Sequence, residues 1–270
     1  MIALLLIPLL FALWVLLLRC RRNHPHLPLL TQYRYAHRGY HQKPTVPENS
    51  IAAFRRAVEA GYGAELDIHL MKDGHLAVIH DSSLLRTAGA DVAIEDLTRE
   101  ELAQYRLEES DEQIPLLEDV LALFEGKTPL IVELKAEGGN HAALSAAAAR
   151  LLDTYKGDYC IESFDPRVVH WFRRHRPSVC RGQLSCNLVA DRTVRQPLPV
   201  RFILTNLLSN IAACPDFVAY KYEDRRNLSL RLCRAIWRPG RFNWTIDSQS
   251  AMTIAESEGA VCIFEQFEPR

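Results

Sequence analysis

Two histidines in this 270-residue chain each end a short apolar run. His37 closes YRYAH and is followed by Arg38 and Gly39; His80 closes LAVIH and is followed by Asp81. Histidine titrates near neutrality, so two of them at two strand ends suit a general base and a general acid. Between them lies GAELDIHL, where Glu65 and Asp67 stand at i and i+2 and so face one side of a strand. Leu66, Ile68 and Leu70 alternate with them as an apolar face, and Glu133 and Lys135 repeat the pattern in PLIVELK. Carboxylates on a buried strand need partner charges or a cation. Three of them converging at strand ends form an oxygen-rich site suited to Mg²⁺ or Ca²⁺. Arg38 and Lys135 beside such a cation suit a phosphate. Taken singly, each feature also has a plainer reading, as a satisfied structural histidine or an exposed edge strand.

The elements that must position these residues alternate along the chain. Strand-like runs cover 33–37, 63–69, 76–80, 129–134, 158–163, 179–184, 216–220, 242–246 and 260–264. Helical patterns lie between them at 49–60, 98–105, 115–125, 140–155, 166–175, 227–236 and 248–258. The clearest helices are the alanine-rich run from Asn140 and the periodic SIAAFRRAVEA closed by Gly61. Alternating strands and helices imply a parallel sheet covered by helices. With no Gly-rich dinucleotide loop, the pattern favours an α/β fold of the TIM (β/α)8 type, which takes about 250 residues. Nine candidate strands are one too many, so either 76–80 shares a βα unit with 63–69 or a neighbouring segment does not form. Catalytic groups of such barrels sit where strands end, as His37 and His80 do.

The ordered set AHRG (36–39), PENS (47–50), AELDIHLMKDG (64–74), HD (80–81), IPLLEDVL (114–121), IVELK (131–135), ESFDP (162–166) and WTID (244–247) resembles the glycerophosphodiester phosphodiesterase family. Each piece is short, but their joint order and spacing are specific, and the resemblance covers residues 33–270. It implies a TIM barrel that hydrolyses glycerophosphodiesters, with lysophospholipids or other lipid-linked diesters as further candidates. The products are an alcohol and a glycerol phosphate or phosphatidate-type product. On the match, Glu65, Asp67 and Glu133 hold a divalent metal and His37 and His80 form the acid/base pair. Arg38, Lys135 and Glu48 line the phosphate site, and Phe164 and Trp244 shape the wall around the leaving group or glycerol. The chain departs from the family at 81–90 (DSSLLRTAGA), and at its last strand, which ends IFEQFEP where T-D-x-P is common. Neither departure is expected to touch the metal or the histidines. A phospholipase C-like or sphingomyelinase D-like barrel shares the paired-histidine logic, and ESFDP and WTID favour the first assignment. A tethered barrel that only binds ligands would mark itself by a lost histidine or carboxylate, and none is missing.

Residues 2–18 carry no charge and precede Arg19, Arg21 and Arg22. They are expected to form a single-pass transmembrane anchor (1–18), followed by a basic linker (19–32) and the barrel (33–270). The positive-inside rule then places the catalytic domain in the cytoplasm of a cell membrane. The seven cysteines lack metal-ligand spacing and read as reduced core thiols. A net charge of −1 predicts no nucleic-acid partner. The oligomeric state is left open.

Overall fold

The computed structural model describes residues 2–43, 45–192 and 194–270, with backbone alone at 2–5. Eight parallel strands close a barrel: β1 (Tyr35–Ala36), β2 (Gly63–Leu70), β4 (Leu130–Leu134), β5 (Tyr159–Ser163), β6 (Cys180–Ser185), β7 (Phe217–Lys221), β8 (Gly240–Ile246) and β9 (Val261–Phe264). Closure comes from β1, which pairs with β9 on one side and β2 on the other. The surplus strand, β3 (Leu76–Val78), folds back antiparallel on β2, so 76–80 does share a unit with 63–69.

Alternation along each strand divides the side chains into two cores. Ala64, Leu66, Ile68, Val132, Leu134 and Ile161 point outward. They meet α3 (Ile51–Glu59), α6 (Leu117–Phe124), α7 (His141–Leu152), α8 (Pro166–His175) and α12 (Gln249–Ser257). The opposite face fills the barrel with Tyr35, Ile131, Cys160, Cys180, Phe217, Phe242 and Ile263. The fit there is tight: a Cβ on Gly182 would lie 2.1 Å from the Phe217 ring. Further up the same faces stand the charged residues of β2, β4 and β5, so the parity that buries the barrel core also aims the carboxylates inward.

Two elements between β6 and β7 escaped the sequence reading, α9 (Leu198–Thr205) and α10 (Asn210–Ala213). LPVRFILT has no polar face, and its Leu198, Val200, Phe202 and Ile203 stay exposed. Hydrogen bonds from Ser185 Oγ to Leu204 O (2.9 Å) and from Tyr220 Oη to Thr205 O (2.8 Å) fix this insert over the C-terminal ends of β6 and β7.

The N-terminal expectation needs correction. Among the described residues no helix is long and apolar enough to cross a membrane, and the single-pass placement with a cytoplasmic domain falls with it. Helix α1 (Ile2–Leu17) has 16 residues and rises about 24 Å, against a hydrocarbon core of about 30 Å. Its last turn is held by the barrel. Trp14 Nε1 donates to Ser229 Oγ (3.2 Å), and Trp237 Nε1 donates to Val15 O (2.8 Å). Leu18 is fully buried among Leu207, Val218 and Leu230. Two of the three arginines taken as membrane-flanking charges, Arg21 and Arg22, are bound into the fold as well, while Arg19 is exposed. Arg21 pairs with Asp216 and donates to Pro177 O (2.7 Å), while Arg22 donates to Ile236 O. Residues 19–32 therefore lie along the barrel, where α2 (Leu27–Leu30) sets Leu30 into its floor against Tyr35. All seven cysteines are free and buried.

Candidate active site

The backbone at the end of β1 makes the first half of the site. Arg38 takes a left-handed conformation (φ 54°) and Gly39 follows at φ 79°. This turn points the Arg38 N–H back at Glu65 Oε2, 3.0 Å away. A side chain at Gly39 would be strained, and its Cβ would come within 2.9 Å of Ala53. Asn49 is also left-handed (φ 54°); its N–H donates to Arg38 O (2.9 Å), and its amide donates to Asp67 Oδ2 (2.9 Å). Strained backbone of this kind persists only where the surroundings over-determine it, and it concentrates at functional sites. The AHRG and PENS segments thus form one interlocked unit lying on the β2 carboxylates.

Glu65, Asp67 and Glu133 are all buried and offer ligand oxygens within 4.8 Å of one another. Asp67 and Glu133 are direct neighbours across the β2–β4 pairing, and Glu162 on β5 is in register with Glu133. Lys135 Nζ sits 3.1 Å from Glu133 and 3.4 Å from Asp67, and Arg38 Nε lies 3.6 Å from Asp67. Four carboxyls therefore face two cations. Burial, then Asp67, Glu133 and Glu162, push Glu65 well above the usual carboxylate range. Burial also pushes up Glu133, against the pull of Lys135, and Glu162, whose Oε2 has no hydrogen bond. Burial opposes ionisation of Asp67 too, yet Lys135, His80 and Arg38 together hold it well below its ordinary value. Crowded, partly orphaned carboxylate oxygens of this kind fit a hard divalent cation.

Each histidine is backed by a carboxylate. His37 Nδ1 lies 2.7 Å from Glu265 Oε2, and His37 Nε2 lies 3.8 Å from Glu65. His80 Nδ1 lies 2.6 Å from Asp81 Oδ1, and Arg86 holds the other Asp81 oxygen. Burial lowers the His37 pKa in spite of Glu265. Glu48 joins the two flanks: Arg38 (2.8 Å) and Arg86 (2.6 Å) reach its Oε1, and Lys43 (2.7 Å) its Oε2. Against the cost of burial, these cations keep Glu48 far below the carboxylate range. Phe164, just past the end of β5, and Trp244 on β8 meet edge to face with centroids 5.6 Å apart and pack on the barrel core.

The structure thus places eight of the residues singled out in the sequence, His37, Arg38, Glu48, Glu65, Asp67, His80, Glu133 and Lys135, in one connected cluster, and pairs the other two, Phe164 and Trp244, with each other. It also adds others. Asn49 stands in PENS, Lys43 between the AHRG and PENS motifs and Arg86 in the 81–90 segment, but only the fold shows what they touch. His41 is buried with Nε2 3.6 Å from Glu265. His69 bonds Glu95 through Nδ1 (2.6 Å) and the His80 carbonyl through Nε2 (3.1 Å). The expectation that the two departures leave the histidines untouched was wrong, because Asp81 of the 81–90 segment lies against His80 and Glu265 of IFEQFEP against His37.

Residues 37–265 match the glycerophosphoryl diester phosphodiesterase family. The chain belongs to that family. It is 42% identical over 165 residues to the glycerophosphodiester phosphodiesterase of Caldanaerobacter subterraneus subsp. tengcongensis, covering 57% of this chain and 67% of that protein. It is 40% identical over 108 residues to the enzyme of Bacillus altitudinis, but covers only 37% of this chain and 43% of that one. Rat lysophospholipase D GDPD1 is 34% identical over 125 residues, 42% of this chain and 38% of the relative. The barrel superposes on an Oleispira antarctica phosphodiesterase in complex with its product sn-glycerol-3-phosphate, with TM-score 0.70, 20% identity and coverage of 86% and 92% of the two chains. It also superposes on the Thermotoga maritima glycerophosphodiester phosphodiesterase, with TM-score 0.65, 24% identity and coverage of 86% and 93%.

Proposed function

We propose that the chain hydrolyses glycerophosphodiesters to an alcohol and a glycerol phosphate, using Glu65, Asp67 and Glu133 as ligands of one divalent cation, Mg²⁺ or Ca²⁺. The observation that carries this reading is the convergence of three buried carboxylates beside two histidines that are each held by a carboxylate at Nδ1. When bound, the cation supplies positive charge to the phosphoryl oxygens. Arg38 and Lys135 orient the same phosphate and stabilise the charge that grows on it as the new P–O bond forms. Glu48, gripped by Lys43, Arg38 and Arg86, fixes Arg38 in place. His37 and His80 divide the proton transfers. One takes the proton of the attacking hydroxyl, from water or from the glycerol hydroxyl next to the phosphate. The other gives a proton to the departing alkoxide as its P–O bond breaks. Phe164 and Trp244 contact the glycerol or the leaving alcohol.

A second substrate class, lysophospholipids, is favoured by two observations. The relatives include a protein named lysophospholipase D, and the rim beside the mouth exposes Leu198, Val200, Phe202 and Ile203 of α9. The test is release of product from glycerophosphocholine and from lysophosphatidylcholine, each in excess EDTA and after addition of Mg²⁺ or Ca²⁺. Full turnover in EDTA would remove the cation from the reading. No turnover of either substrate with any cation would remove the activity.

A further inference from the structure

The last strand of the barrel ends in a residue that the family pattern does not anticipate. Where T-D-x-P is common, this chain has Glu265 in IFEQFEP. Parity along β9 aims Glu265 into the barrel, two positions beyond the interior residue Ile263. Its backbone is fixed by a hydrogen bond from its own N–H to Ile246 O (3.0 Å). The same strand end accepts from the His37 N–H through Phe264 O (2.8 Å), so the main chains carrying His37 and Glu265 are tied together. From there Glu265 Oε2 reaches His37 Nδ1 at 2.7 Å. The same oxygen lies 3.6 Å from His41 Nε2.

We propose that Glu265 is the positioning residue of His37: its carboxylate holds the ring with the proton on Nδ1, so that Nε2 faces the acidic layer. The inference rests on the reading of His37 as one of the two proton-transfer groups. An ionised carboxylate only accepts, so the 2.7 Å contact requires the hydrogen on Nδ1. That places Nε2 3.8 Å from Glu65, at the centre of the site. A ring flip would lose the Glu265 bond and turn a carbon toward it. Proton transfer by His37 therefore runs through Nε2. The arrangement matches the other flank, where Asp81 holds His80 Nδ1 at 2.6 Å, so both histidines present Nε2 from a carboxylate-held ring. Asp81 adjoins its histidine in sequence, whereas Glu265 reaches His37 across 228 residues of chain.

The experiment uses the full chain with its divalent cation and glycerophosphocholine as substrate. Nitrogen-15 spectra of histidine-labelled protein, with the His37 signals assigned through His37→Ala, are expected to show the Nδ1–H tautomer in the wild type. In Glu265→Gln and Glu265→Ala the Nε2–H form should grow. Both variants should lower kcat by about 10- to 100-fold, the usual effect of losing such an orienting partner, with KM within about twofold. A wild-type His37 in the Nε2–H tautomer overturns the proposal even if neither variant folds. Full kcat in Glu265→Ala, alongside an inactive His37→Ala, overturns the positioning role while leaving His37 in the mechanism. Full activity in His37→Ala overturns both.

Discussion

Replacing Glu65 by Gln should raise the stability of the metal-free protein and abolish its response to a cation. Glu65 is 2% exposed, in a layer where it, Asp67, Glu133 and Glu162 face two permanent cations, Arg38 and Lys135. With all four carboxyls ionised, two negative charges are uncompensated, which is the charge of a single divalent cation. Burial and the neighbouring carboxylates raise Glu65 and Glu162 well above the ordinary value of 4.5. A carboxyl whose pKa is higher in the folded chain than in the unfolded one binds more protons when folded. Its contribution is full below the ordinary value and is lost as pH rises toward the folded-state value. The metal-free chain should therefore lose stability as pH rises above the ordinary carboxylate value of 4.5. The depressed carboxylates, Asp67, Glu48, Asp81 and Glu265, act in the opposite sense and only at more acid pH.

A cation at about 100 times its Kd adds about 2.7 kcal/mol. For a chain of this size that is a rise in Tm of about 5–11 °C. Differential scanning fluorimetry in excess EDTA, and then in excess Mg²⁺ or Ca²⁺, reads both effects. The wild type should gain most near pH 8 and less near pH 5, where protons compete. Glu65→Gln can still accept the Arg38 N–H, so its Tm in EDTA should equal or exceed the wild type, and the cation shift should vanish. A variant that is less stable in EDTA and still shifts with cation would refute the charge-repulsion argument.

Other outcomes follow from the same geometry. His37→Ala and His80→Ala should each lower kcat by at least about 10²-fold in steady-state assays of the folded protein. Phe217→Ala removes a fully buried ring whose centroid lies 4.3 Å from that of Phe242, tilted by 36°, and should cost about 3–5 kcal/mol in urea unfolding. Trp244→Ala opens the wall it forms with Phe164 and should raise KM more than it lowers kcat. Trp14→Ala cuts the tie from α1 to Ser229, and limited proteolysis should then release the N-terminal segment faster.

The sequence by itself determined the inward set. Period-2 alternation in β2, β4 and β5 separates outward Leu66, Val132 and Ile161 from inward Glu65, Asp67, Glu133 and Glu162, and that separation is a local property of the strands. The strand–helix alternation fixed the barrel class in the same way, down to the surplus strand beside β2. Tertiary structure alone decided what lies beside each of these residues. Glu265 meets His37 only because β9 closes on β1, and no local pattern carries a contact between chain ends. His41 is buried for the same reason, although its neighbours in sequence are polar. The N-terminal segment shows the converse. Its composition is that of a membrane span, and hydropathy cannot register Ser229, Trp237 and Asp216 waiting on the barrel wall. An uncharged run satisfies equally a bilayer or a protein groove, and here its last turn lies in the groove.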